Sequence, residues 1–310
     1  MKNRHIVIAL WCVAFFAGGI VVAASPEVDR PSKSRATLDY LGEPLPGNTA
    51  VVFAKGIVSD GHIHGRLAIS PDGRDLFWST FSTADGDQLS VRIMHVARTA
   101  NGWTTPQAAS FAAQGMTTSP LFSPDGSRLY FDFTSDPTKG WQTRFVERTA
   151  QGWSEPKESG FMLKPSSSFT KSGRVYYTDE MTGKPWNMGT FVAEYTGSAY
   201  ENPRALPASI NSPFIDYTPF IAPDESYLMF CSSRPLSKED MYLYISFRNP
   251  DETWSAPRRM NEALGFAGNA RFPSLSPDGK YLFFCGDDGN MYWLKSEVVD
   301  RLRVAKTRVQ

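Results

Sequence analysis

The sequence predicts an all-β fold, a five-bladed β-propeller of four-stranded antiparallel blades. Three observations carry this expectation. A turn tetrad recurs along the chain, short apolar runs follow each copy, and an aromatic residue recurs at one place after those runs. The tetrads read "SPDG" at Ser70, "SPDG" at Ser123, "TKSG" at Thr170, "APDE" at Ala222 and "SPDG" at Ser276, spaced 47 to 54 residues apart. Self-similarity at such a period marks a repeat architecture, in which one unit cannot bury its apolar faces alone.

Each tetrad has the chemistry of a tight turn. Proline presets the second position, aspartate tolerates the third, and glycine takes the left-handed conformation that ends the hairpin. The runs that follow are "DLFWS", "RLYFD", "RVYYT", "YLMFC" and "YLFFC", then "VRIMHVA", "WQTRFVE", "GTFVAEY", "MYLYISF" and "MYWLKS". These β-branched and aromatic runs at turn spacing read as strands, and no unit has a helical period. Three units then carry "NGWTTP", "QGWSEP" and "DETWSAP", and the third unit puts Tyr200 in the tryptophan slot. Trp103, Trp153 and Trp254 at one repeat position are expected to pack blade on blade.

These repeats resemble the WD40-like β-propeller family of the TolB C-terminal domain and many exported bacterial proteins. The resemblance runs from about Leu38 to Val299, through the SPDG tetrads, "FIAPDESYLMFCSSRP", "DMYLYISF", "WSAP" and "DGNMYWLKSEVVDRL". It implies the propeller fold, and its varied members imply no single activity.

Let strands a to d run outward from the axis, with the tetrad as the a–b turn. The fifth unit has no strand d of its own and runs into "SEVVDRLRVAKTRVQ", expected to be a short helix capped by Ser296. The run "AVVFAKGIVS", from Ala50 to Ser59, is a spare strand expected to complete that blade beside Tyr292. A sixth blade would need another repeat length, which residues 25–37 do not resemble.

The N-terminus reads as an export signal. Lys2 and Arg4 precede an uncharged 18-residue run from Ile6 to Ala23, and Ala23 and Ala24 suit cleavage before Ser25. The run is also long enough to stay as a single anchor. Cys12 lies within it without a lipoprotein-type site. Residues 25–37 are polar, with two prolines, and read as a linker to a single propeller domain over 38–310. The mature chain is expected to be a soluble monomer, periplasmic or extracellular, without a membrane span. Lys plus Arg and Asp plus Glu are 32 each in 310 residues, so nothing points to nucleic acid.

Strand alternation puts the SPDG turns on one face, where Asp72, Asp125 and Asp278 read as scaffold. The d–a and b–c loops form the other face, the funnel. Its candidate ligand-binding residues are His64, Arg66, Lys164, Asp216, Tyr217 and Arg271 from the d–a segments, with Arg234, Trp141 and Trp186 from the b–c loops. Family members often carry acids in the d–a slots, and here Asp216 alone keeps one. The mixed lining suits an anionic or hydroxyl-rich ligand or, more plainly, polar groups that pair with one another. "HIH" places His62 and His64 on one side of an extended segment, but no third ligand has metal spacing, so neither a metal nor a cofactor is expected.

No nucleophile-elbow, P-loop or dinucleotide fingerprint appears in its required context. The first functional expectation is therefore a non-catalytic propeller binding a peptide, protein or glycan on the funnel face. The alternative is a carbohydrate-active hydrolase or lyase using His64 with Arg271, or Asp216 with Glu180 or Asp287. A deep funnel with two carboxyls would favour the enzyme, and an arginine-plugged mouth would favour binding. Cys231 and Cys285 each lie nine residues past the start of their tetrads. They should occupy equivalent places in successive blades, face the same rotational sense and form no disulfide.

Overall fold

The computed structural model describes residues 38–84, 88–164, 166–182, 188–234 and 240–304. The expected signal, residues 1–24, and the linker, 25–37, lie outside the described residues, as does Trp186. Five antiparallel sheets form a ring. Strands a, b and c are Ile63–Ile69, Asp75–Ala84 and Gln88–Thr99 in blade 1, and Met116–Phe122, Arg128–Thr134 and Gln142–Thr149 in blade 2. They are Ser168–Phe169, Arg174–Glu180 and Met188–Tyr195 in blade 3, Asp216–Ile221, Tyr227–Ser232 and Tyr242–Phe247 in blade 4, and Ala270–Leu275, Tyr281–Gly286 and Met291–Lys295 in blade 5. Strand d is Gln107–Ala108, Lys157–Glu158, Tyr200–Ala205 and Arg258–Arg259 in blades 1 to 4.

The N-terminal strand Val51–Val52 completes blade 5. Val51 pairs with Trp293 and Val52 with Tyr292, antiparallel. The Phe53 amide extends the pairing to the Met291 carbonyl at 2.8 Å. The strand is shorter than the run Ala50–Ser59, because the chain reverses at Ala54, whose φ is +48°. The Ser59 hydroxyl secures the reversal: it donates to the Phe53 carbonyl at 2.9 Å and accepts the Met291 amide at 3.0 Å. The C-terminal helix, Val298–Val304, is present. Ser296 does not cap it through its side chain, since that hydroxyl donates to the Gly279 carbonyl at 2.6 Å.

Apolar side chains fill every junction between blades, and the repeated aromatic slot serves four of the five. Trp103 packs into the blade 5–blade 1 cluster around Phe283 and Trp78. Trp153 joins Phe77 and Phe131 between blades 1 and 2, Tyr200 joins Tyr130 and Phe145 between blades 2 and 3, and Trp254 joins Tyr176 and Phe230 between blades 3 and 4. The fifth junction belongs to the blade closed by two chain ends. There Val298, Val299 and Leu302 of the terminal helix fill the space. Burying one such side chain contributes roughly 1.5–3 kcal/mol, so each slot adds to the closure of the ring.

The serine of each SPDG tetrad is nearly buried and organises the turn. Ser70 Oγ donates to Asp72 at 2.6 Å and accepts the strand-b amide of Asp75 at 2.9 Å, while Gly73, at φ +69°, donates to the Ser70 carbonyl at 2.7 Å. Ser123 and Ser276 repeat the pattern with Asp125 and Asp278. The two deviant tetrads belong to adjacent blades and bind each other. Glu225 holds the glycine position at φ +59°. It accepts Ser172 Oγ at 3.0 Å, Arg174 Nη1 at 3.1 Å and Tyr176 OH at 3.0 Å, all from blade 3, with Arg248 at 3.6 Å. The Lys171 amide adds a bond to the Pro223 carbonyl at 2.9 Å. A non-glycine residue at positive φ is held here by a cross-blade carboxylate network.

Both cysteines are free and buried. Cys231 Sγ lies 3.4 Å from the Ala270 carbonyl of blade 5, and Cys285 Sγ lies 3.0 Å from the Gly65 carbonyl of blade 1. Each thiol faces the following blade. Burial pushes Cys231 up to about 11 and raises Cys285 as well, so both are inert thiols. Titration of the unreduced chain after denaturation should find both thiols free, and a Cys231–Cys285 peptide in a non-reducing map would contradict this packing. Glu225→Ala should lower stability by about 2 kcal/mol or more in urea unfolding, well above the effect of an exposed ion pair. An unchanged midpoint would show that the network contributes nothing.

Candidate functional site

The five a strands enter the ring from the d–a loops, and their first residues surround the axis. The entry position holds His64, Thr117, Lys164, Asp216 and Ala270. Two residues on, four blades place a residue in the left-handed region: Ser119 at φ +59°, Ser166 at +55°, Thr218 at +49° and Phe272 at +54°. The a–b register slips there in blades 1, 2, 4 and 5, giving a β-bulge that turns the backbone inward. One position on strand b serves the bulge of the next blade in three of the five blades. Ser79 Oγ accepts the Ser119 amide at 3.0 Å, Thr178 Oγ1 accepts the Thr218 amide at 3.0 Å, and the Cys231 sulfur accepts the Phe272 amide.

Arg66 takes the bulge position of blade 1 and does something else. Its side chain crosses the ring to blades 3 and 4. Nη1 donates to the Ser167 carbonyl, and Nη2 donates to the carbonyls of Ser166 at 3.2 Å and Pro219 at 3.3 Å. The residue is 8% exposed, and burial pulls its guanidinium down to about 10, still protonated at neutral pH. Arg66 is thus a plug, held by dipoles rather than a carboxylate.

Most other predicted residues are paired within the fold. Asp216 is fully buried and accepts Arg234 Nη2 at 2.5 Å and the Ser212 amide and hydroxyl at 2.6 and 2.7 Å. Arg234 also donates to the Ile210 carbonyl and stacks over Phe230 and Tyr244. Lys164 Nζ lies 2.8 Å from Asp179. His64 is buried, hydrogen-bonds Thr80 Oγ1 at 3.2 Å through Nδ1, and places Nε2 3.1 Å from Asp60, outside hydrogen-bonding alignment. Burial lowers its pKa against the opposing pull of Asp60, so it is neutral at pH 7. Burial works against the charge of Asp60, but bonds from His62 and the neighbouring His64 hold its carboxyl below the usual range. Trp141 is half-buried on the b–c loop of blade 2. Tyr217 and Arg271 share the second position of strand a in adjacent blades.

The sequence reading missed Asp132. The strand-b position that serves the bulges reads Ser79, Asp132, Thr178, Cys231 and Cys285, so a carboxyl stands where the other blades carry neutral groups. Asp132 is 7% exposed, with Thr143 Oγ1 at 3.3 Å, and burial raises it to about 7 against bonds from Ser119 and Thr143. It lines an axial cleft with Arg66, Lys164, Ser119, Ser166 and Phe272, and it is the one acid on that lining. The cleft's interior is about 20 Å³, room for about one water molecule. A broader, open groove of about 480 Å³ lies on the same d–a face, lined by Arg259, Asn261, Glu262, Gly265, Phe266 and Ala267. No set of three metal-ligating groups occurs among the described residues.

No family model matches the chain, and no curated protein matches it. Among solved structures it is similar to a GH43_12 protein from a capybara gut metagenome, with 16% identity, 83% of this chain and 54% of that chain covered, and a TM-score of 0.49. It is similar also to a thermostable family-43 glycoside hydrolase, with 11% identity, 81% and 90% coverage, and a TM-score of 0.47. A puromycin-hydrolysing peptidase of Mycobacterium tuberculosis has 14% identity, 77% and 46% coverage, and a TM-score of 0.36. The chain spans about half the length of the first and third of these proteins.

Two outcomes test this geometry. Asp132 titrates near 3.9 when unfolded and near 7 when folded, so its burial costs nothing below pH ~4 and most above pH ~7. Asp132→Asn should therefore raise the thermal midpoint, with a gain that grows from pH 4 to 7 and then levels. A pH-independent difference would contradict a buried, reluctant carboxyl. Arg66→Ala should cost about 2–3 kcal/mol in urea unfolding, because three inward carbonyls lose their donor.

Proposed function

We propose that this chain is an exported, non-catalytic WD40-like propeller that binds a peptide, protein or glycan on its d–a face. The observation that carries the reading is the Arg66 plug. It fills the axis, leaves a cleft with an interior of about 20 Å³, and directs any larger ligand to the rim, where the groove of about 480 Å³ lies beside Arg259 and Glu262. Ligand pockets run to about 300–1,000 Å³, so the groove has the right scale and the axis does not. Export rests on the signal-like segment before residue 25, and a periplasmic or extracellular place follows from it.

Asp132 favours a second reading, a carbohydrate-active enzyme. A carboxyl kept protonated to about pH 7 is what a general acid requires. A glycosidase needs a second carboxyl, and Asp216 is committed to Arg234.

The test is a thermal-shift screen of the full chain against cell-wall glycans and peptides, with an assay for released reducing ends on the same panel. A saturable stabiliser without turnover is expected. Its affinity should fall in Arg259→Ala and hold in Asp278→Ala, which lies in the opposite turn and bonds Tyr40 at 2.9 Å. Turnover abolished by Asp132→Asn would establish the enzyme instead.

A further inference from the structure

The groove between blades 4 and 5 has a built wall. It is formed by the d–a loop that joins the two blades, and Arg259, Asn261, Glu262 and Phe266 all line it. Asn261 is 4% exposed, and its Nδ2 donates to the carbonyls of Phe266 at 3.2 Å and Gly268 at 2.8 Å. Phe266 is half-buried, with its ring centroid 5.1 Å from that of Phe284 and 4.7 Å from that of Tyr292. The Arg259 guanidinium lies 3.5 Å over the Tyr242 ring, and its Nε donates to Asn261 Oδ1 at 3.4 Å. A long side chain held in this way has less freedom left to lose when a ligand arrives.

The same wall carries two unanswered charges. Elsewhere on this face Lys164 has Asp179 and Arg234 has Asp216. Arg259 and Glu262 are both exposed, and among the described residues neither has a charged partner, including each other. Asp287 adds a second carboxylate beside the aromatic wall. A Cβ built on Gly268 would lie 2.7 Å from Asp287 Oδ1 and 3.3 Å from the Phe266 ring.

Opposite charges that do not meet on one wall call for a ligand with the reverse pair. A neutral glycan would leave both unanswered. An anionic sugar would answer Arg259 and be repelled by Glu262 and Asp287. A segment from the middle of a long chain brings no terminal charges. A short peptide with both ends free brings a carboxylate and an ammonium, with apolar side chains between them. Extended chain spans about 3.3–3.6 Å per residue, so even a dipeptide holds its two charges apart, as the wall does.

We propose that this groove binds a short peptide with free ends, its carboxylate on Arg259, its ammonium on Glu262 and an apolar side chain on Phe266. This rests on the binding reading of the d–a face and narrows its ligand class to one.

The test is isothermal titration of the full chain with alanyl-phenylalanine, its N-acetyl form, its C-terminal amide and cellobiose. The free dipeptide should bind about three- to tenfold more tightly than either blocked form, a range between an exposed ion pair and a charge-assisted hydrogen bond. Cellobiose should bind more weakly still. Arg259→Gln should weaken the dipeptide by the same factor and erase the penalty of the amide. Glu262→Gln should erase the penalty of the acetyl group instead. A folding defect would not produce this matching of residue to peptide end. Both variants should keep the wild-type urea midpoint, and a lowered midpoint in either would mark that residue as structural and overturn its role. Arg98→Ala, whose surface partner is Asp39 at 2.9 Å, should bind as wild type. Blocked forms that bind as well as the free dipeptide would overturn the paired charges, and cellobiose that binds as tightly would overturn the peptide. A cell-wall glycan that needs Arg259, with no dipeptide binding, would sink this proposal and leave the binding reading intact. Turnover abolished by Asp132→Asn, beside end-matched dipeptide binding, would do the reverse.

Discussion

The ring depends on one recurring interaction, a polar atom on strand b that reaches the inward bulge of the next blade. Ser79 serves Ser119, Thr178 serves Thr218, and Cys231 serves Phe272. A left-handed serine, threonine or phenylalanine costs roughly 1–2 kcal/mol, and an orphaned buried amide costs about as much again. The strand-b atom removes the second cost and holds the first in place. It also joins successive blades near the axis. The apolar clusters close the ring from outside, and these bonds set its geometry within.

The same constraint explains the cysteines. A thiol on strand b must face the following blade, so Cys231 and Cys285 point the same way around the ring and meet carbonyls rather than each other. Rotation by one blade maps one cysteine onto the other's place, and two groups related in that way do not converge. Cys285 closes the circuit on the Gly65 carbonyl, where blade 1 carries Arg66 instead of a left-handed residue. That exception frees the arginine to cross the axis.

The fold was legible because its signals are local and repeated. Pro, Asp and Gly at fixed offsets mark the turns, and the lone strand around Val51 could only complete the blade that lacked one. The site was less legible for a physical reason. Arg66 meets Ser166, Ser167 and Pro219 a hundred or more residues away, and such a contact follows from ring closure rather than from any motif. Asp216 and Arg234 looked like separate candidates because no sequence pattern says that a d–a acid and a b–c arginine share one blade corner. Asp132 had a readable signal in the column Ser, Asp, Thr, Cys, Cys. Its meaning required knowing that this column faces the axis.

Charge balance at the mouth follows from these pairings. The chain's formal charges cancel, yet cancellation over a whole surface says nothing about one cavity. Loop acids such as Asp179 and Asp60 lie beside the bases of their own corners. Asp132, the acid on the cleft wall, titrates up to about 7 and so supplies less than a full negative charge near neutral pH. Arg66 and Arg271 keep theirs. Arg66 spends its donors on carbonyls that the bulges turn inward, so the fold consumes its hydrogen-bonding capacity without cancelling its charge. Arg271, whose Nε is buried without an acceptor, keeps donors that the fold does not use.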